Sequence, residues 1–251
     1  MIAKFSEAFH LLRQNLGLFT AIILTVWLPG HILINGLAYN LEGASELIDF
    51  KLTLWIEGIF APIYIGALVH ALFRIKSGQT VTYREAIAVG YKNWGTLFGA
   101  RFVAGAYTLL GLIAFIIPGV ILAVRYALLD SAVIVEGRGM SASRTRSIDL
   151  TAGMRWQIFL AAVLYFIGFM GLSFLIYLPL GFAESLDIMP VGVVIDCILE
   201  VAFSIIQIVM FLFYWEATQH RRVIEASDIP DSETDAPADN PALDAGPEMV
   251  S

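Results

Sequence analysis

Residues 116–137 form an apolar run long enough to cross a bilayer, yet the run carries Arg125 and Asp130 well inside it. A transmembrane helix needs about 20 mostly apolar residues at 1.5 Å rise each. A charge near the bilayer centre costs roughly 2.5–3.5 kcal/mol on insertion scales. Such residues persist only where a partner or a polar cavity offsets that cost. The run therefore points to a membrane protein and marks where any activity would lie. It names no reaction and no substrate.

The rest of the chain agrees. It is 58% hydrophobic and 15% charged, where a soluble domain is about 45–50% apolar and about 25% charged. Mean hydropathy is +0.77, and the apolar excess is gathered into long runs. The net charge of −7 is misleading. Residues 223–251 form a tail rich in Pro, Asp and Ala, holding eight acids and no base after Arg222; the body then carries 15 bases and 14 acids. Such a tail cannot bury a core and is expected to be disordered. Cys197 is the single cysteine, so no intrachain disulfide forms. The first apolar run is too long for a signal-peptide core and lacks a small-x-small cleavage site, so it reads as a retained span.

The predicted fold is an all-α polytopic membrane helical bundle over residues 1–222. Six transmembrane helices are predicted at about 16–38, 52–73, 95–117, 118–136, 157–183 and 189–215, with Pro118-Gly119 turning between the third and fourth. The loops follow the positive-inside rule. One side collects Lys4, Arg13, Arg74, Lys76, Arg84, Lys92, Arg101, Arg138, Arg144, Arg146, Arg155, Arg221 and Arg222. The other collects Glu42, Glu46, Asp49, Glu184 and Asp187, with Lys51 its only base. This asymmetry requires an even number of spans, counts 118–136 as a crossing, and puts both termini in the cytoplasm. The expected location is the bacterial cytoplasmic (inner) membrane.

A three-fold pattern runs through the cytoplasmic segments. Phe5-Ser-Glu-Ala-Phe leads to Asn15-Leu-Gly-Leu-Phe19, and Tyr83-Arg-Glu-Ala-Ile leads to Asn93-Trp-Gly-Thr-Leu-Phe98. In both, Ala and Asn are seven residues apart. A weaker third copy starts near Ser141 and leads to Gly153-Met-Arg-Trp156. Each reads as a short amphipathic interfacial helix before a pair of spans, its aromatic and basic end suited to headgroups. Thr82-x-x-Glu85 is a capping box for the second.

Ile-Pro-Gly, the stretch around Arg125, Val-Ile-Val-Glu136-Gly137, and Ser-Ala-Ser-Arg-x-x-Ser147-x-x-Leu150-x-x-Gly153 together resemble a known family. It is the membrane domain attached to some bacterial glycerophosphoryl diester phosphodiesterases, with its stand-alone multi-span relatives. The resemblance is clearest over 80–160. The family's catalytic domain carries a His-Arg dipeptide and a downstream Glu-Asn pair. Here the only His-Arg is His220-Arg221, with no Glu-Asn after it. The resemblance therefore implies a membrane location and an association with lipids, and carries over neither phosphodiesterase activity nor catalytic residues.

Helical rise places the intramembrane charges in one layer. Arg125 lies seven residues past Pro118 and Asp196 seven past Met189, each about 10 Å below the outer face. Asp130 and Glu200 fall near ~16–18 Å, while His31 and Glu57 lie about 8 Å from the outer ends of the first two spans. Arg125 and Asp130 are five apart and point away from each other; Asp196 and Glu200 are four apart and share a face. Ser204 and Gln207 continue that stripe. The expected pairing is Arg125 with Asp196 or Glu200, across spans four and six. The candidate polar layer is Arg125, Asp130, Asp196, Glu200, His31 and Glu57, which either fixes packing or forms a site.

Other signals are slight. Gly95-x-x-x-Gly99 is a small-xxx-small pattern for internal packing or a homodimer. Pro29 and Pro62 should kink their spans. His10, His70 and His220 have no metal-ligand spacing, and no hydrolase, phosphate-binding or redox motif is present. No catalytic residue, cofactor or metal is expected. Membrane lipids, with anionic headgroups on the cytoplasmic face, are the expected partners, beside a protein partner; nucleic acid is not. The expectation is a non-enzymatic integral membrane protein in lipid or envelope homeostasis. The alternative is a small transporter or lipid-translocating protein using the polar layer.

Overall fold

The computed structural model describes residues 2–40, 46–180 and 188–227. Among the described residues the chain is helical: α1 (Ile2–Gln14), α2 (Leu16–Asn40), α3 (Glu46–Lys76), α4 (Tyr83–Lys92), α5 (Trp94–Ala114), α6 (Ile116–Tyr126), α7 (Leu129–Glu136), α8 (Met140–Leu150), α9 (Arg155–Leu180) and α10 (Met189–Ser227). Six stretches are long and apolar enough to span a bilayer: Leu16–Leu37, Phe50–Lys76, Trp94–Ala114, Ile116–Glu136, Arg155–Leu178 and Met189–Arg221. The protein is a multi-pass helical membrane bundle. The short helices α1, α4 and α8 each precede a pair of spans.

Those short helices close a ring. Helix α4 packs on α3, α8 on α7, and α1 on α10. Each short helix thus lies against the last span of the preceding unit, and the first against that of the third. Equivalent positions do equivalent work. Ala8, Ala86 and Ser147, each eight residues before the first residue of the next span, are fully buried. At the elbows, Asn15 Nδ2 donates to the Leu11 carbonyl at 3.0 Å and Asn93 Nδ2 to the Val89 carbonyl at 2.9 Å. The third elbow has no such Asn and turns through Gly153 at φ +87°. One turn on, Phe19, Leu97 and Ile158 are buried.

The core follows from this ring. Phe19, Ile22, Leu68, Leu72, Phe211, Phe213 and Tyr214 are buried where the spans meet the collar of short helices. At the far end Phe50, Trp55, Ile113, Phe115, Ile116, Phe174 and Leu175 are exposed. A surface that apolar is tolerated where lipid, not water, covers it.

Three features differ from the sequence expectations. The turn between spans three and four is at Phe115, in extended backbone (φ −161°, ψ 142°), not at Pro118-Gly119. Pro118 sits in the first turn of α6, where its missing N–H has no partner to lose. Gly119 faces α5 so closely that a Cβ would meet Leu112 Cγ at 2.3 Å. The fourth span is broken at Ala127–Leu128, between α6 and α7. The buried Ser147 hydroxyl spans that break: it donates to the Arg125 carbonyl at 2.8 Å and accepts from the Leu128 N–H at 3.2 Å. Finally, α10 runs to Ser227, beyond the expected domain end at 222, because nothing before Pro230 stops a helix. The tail from 228 onward lies outside the described residues.

Candidate functional site

Helix periodicity builds the first polar cluster. Trp27, His31 and Asn35 are four apart on α2, and Asp196 and Glu200 are four apart on α10, so each set shares a face. The two helices pack together. Asn35 Nδ2 donates to Asp196 Oδ2 at 2.9 Å and to the His31 carbonyl at 3.1 Å. His31 Nδ1 lies 3.6 Å from Asp196 Oδ2, and Nε2 lies 3.9 Å from Glu200 Oε1. The indole of Trp27 stacks on the imidazole at 5.1 Å. From α9, the Tyr177 hydroxyl donates to Asp196 Oδ1. The His31 side chain is only 10% exposed and that of Asp196 23%, while the Tyr177 contact lies at the exposed edge of the cluster.

A second cluster lies across the bundle. Arg101 on α5 donates from Nη1 to Asp130 Oδ2 at 2.7 Å. Arg101, Asp130, Thr108 and Tyr126 line a hollow of about 190 Å³. Glu57 on α3 shares a neighbouring hollow with Arg101. The buried Tyr64 lies on the same helix as Glu57.

The structure therefore brings together His31, Asp196 and Glu200 directly, and adds Glu57 and Asp130 around Arg101. It does not bring Arg125 to Asp196 or Glu200. Both of those acids lie beside His31 instead. Arg125 ends α6, and its Nε is buried without an acceptor among the described residues. The reason is the helix break: Arg125 ends α6 beside α8, which its carbonyl touches through Ser147. Ser204 is buried but spends its hydroxyl on the Val201 carbonyl of its own helix at 2.7 Å, so it does not extend the stripe.

Two functional-looking groups escape a sequence reading. Arg101 was counted among the cytoplasmic bases, but it lies two turns inside α5. The available signal was its position seven residues past Trp94 in an apolar run. Glu136 is the second. It accepts from Arg146 Nε at 2.9 Å, from Arg138, and from the Tyr214 hydroxyl at 3.1 Å, tying α7 and α8 to α10. Related ion pairs bind the other joints. Glu85 on α4 lies 3.5 Å from both His70 and Arg74 on α3, and Lys4 on α1 pairs with Glu216 on α10.

The interior network holds four carboxylates, Glu57, Asp130, Asp196 and Glu200, against Arg101 and one imidazole. Chemically it offers acceptors for protons; among the described residues no three acids, His or Cys are grouped to hold a metal ion. Comparison with known proteins finds no matching family, no matching curated protein and no matching solved structure.

Proposed function

We propose that this chain is a non-enzymatic protein of the bacterial cytoplasmic membrane that serves lipid or envelope homeostasis by binding lipids. In this reading both termini and the collar of α1, α4 and α8 face the cytoplasm, toward anionic headgroups. The observation that carries it is the composition of the collar end. Bases and exposed aromatic side chains crowd there: Arg13, Arg84, Lys92, Tyr91, Trp94 and Trp156. Bases near a membrane surface attract anionic lipid by about 1 kcal/mol each, and Trp and Tyr settle at the headgroup level. The same proposal groups residues 80–160 with the membrane domain of glycerophosphoryl diester phosphodiesterases, on the stretches quoted above alone. The test is mass spectrometry of lipids and proteins that co-purify with the intact chain. Anionic phospholipid should be enriched over its share of the membrane; a lipid profile equal to the bulk would refute the reading.

One observation favours a second reading, a small transporter. The interior carboxylates outnumber the cations beside them, and ionisable groups in spans mark ion and proton paths. Neutralising Glu57, Asp130, Asp196 and Glu200 together separates the two. Normal folding with normal cellular function would sink the transporter.

A further inference from the structure

Helices α6 and α9 enclose an apolar groove of about 360 Å³. Its walls are one side of α6, including Ile117, Val120 and Val124, and Phe159 of α9. The stretch of α6 from Ile116 to Val124 is about 12 Å long at 1.5 Å per residue. That is close to one leaflet of a hydrocarbon core about 30 Å thick. The groove ends at Arg155 and Trp156, in the first turn of α9.

That end carries the groove's one charged side chain, which forms the wall through its aliphatic stem, since nearly all of the lining surface is apolar. Arg155 Nη2 donates to the Ile148 carbonyl at 3.3 Å, which holds the guanidinium in place. Its Nε is buried and has no acceptor among the described residues. Arg155 opens a 26-residue helix, so the positive end of the backbone dipole adds to its charge. Trp156 is 68% exposed and stacks on Phe159 at 5.3 Å, a placement suited to the membrane interface. An elongated apolar slot with one cation and a helix N-terminus at its mouth has the chemistry of a single amphiphile: a chain below, a phosphate above.

We infer that this groove binds an anionic glycerophospholipid, one acyl chain lying along α6 and the phosphate against Arg155. The inference rests on the lipid-binding reading above and assigns it a place. The guanidinium supplies the preference for the headgroup, and Ile117, Val120 and Phe159 supply the affinity for the chain. Lys51, exposed on α3 and outside both the groove and the collar, has no part in it.

The test uses the full chain in phosphatidylcholine vesicles with a rising fraction of phosphatidylglycerol brominated on its acyl chains. The Trp156 emission is isolated as wild type minus Trp156→Phe. Bound lipid quenches it along a saturating curve, whereas lipid that merely surrounds the protein quenches in proportion to its fraction. The expected result is saturation in the wild type and in Lys51→Gln. In Arg155→Gln, half-quenching should need about five-fold more phosphatidylglycerol. Val120→Phe, which fills the slot, should lower the extent of quenching for any headgroup; Ile117→Phe, at a position 72% exposed, serves if the first variant folds poorly. A proportional curve in the wild type, unchanged by Arg155→Gln, overturns the site. Native mass spectrometry of the same samples separates the two levels. Lipid enriched on the protein with a proportional curve leaves the general reading standing, and no enrichment removes both.

Discussion

The Arg101–Asp130 pair gives the sharpest test of the interior. The two side chains meet at 2.7 Å and are 31% and 15% exposed. Replacing Arg101 by Asp sets two like charges together beside Glu57, and Asp130→Arg does the reverse. Removing one partner of a buried pair costs about 3–5 kcal/mol, and a lone charge within a span roughly 2.5–3.5 kcal/mol. Each single variant should therefore lose about 3 kcal/mol in an unfolding titration in mixed micelles. The double variant Arg101→Asp with Asp130→Arg should regain at least about half of the summed loss, a coupling large enough to read in a double-mutant cycle. The corresponding swap of Arg125 with Asp196 should show coupling within about 0.5 kcal/mol of zero, because those groups do not meet. Rescue in the second swap and none in the first would refute the assignment of partners.

The collar makes further predictions. Ser147→Ala removes the hydroxyl partner of the half-buried Arg125 carbonyl and the buried Leu128 N–H; the same titration should show a loss of about 1–3 kcal/mol. Gly90→Ala puts a Cβ 2.1 Å from the Ile63 carbonyl oxygen and should destabilise by at least about 1–3 kcal/mol. Gly95→Ala meets open space and should raise stability by roughly 0.5–1 kcal/mol, so equal effects at the two glycines would contradict the packing of α4 on α3. Thr82→Ala removes the hydroxyl that accepts the Glu85 N–H at 3.3 Å and should cost about 1 kcal/mol, visible as fraying of α4 in hydrogen exchange.

Much of the bundle is legible in the sequence because lipid imposes length and hydropathy on each span. The repeat is legible as well, since Asn15 and Asn93 sit at the same register and make the same bond. Half of the capping box is found: Thr82 caps α4, but Glu85 turns to His70 and Arg74 across the joint rather than back to the cap. Asp196 and Glu200 share a face, as their spacing requires, and His31 meets both. What the sequence hides is tertiary. Depth counting treats a span as one rod, and the fourth is two, so Arg125 ends elsewhere. Charge counting groups Arg101 with the cytoplasmic bases, although it lies within the third span and its partner is Asp130. Gly95-x-x-x-Gly99 reads as a helix contact, but only Gly99 is used, against Met140, while the small pair that packs is Ala86 with Gly90.

The proposed orientation, with the collar toward the cytoplasm, can be read directly. Single cysteines placed at Arg84, Arg144 or Lys51 in a Cys197→Ser background can be labelled in intact cells with a membrane-impermeant maleimide. Labelling at Lys51 alone, with Arg84 and Arg144 reacting only after the membrane is opened, is the result expected. Reaction at Arg84 and Arg144 in intact cells would contradict it, since the bases would then face away from the cytoplasm.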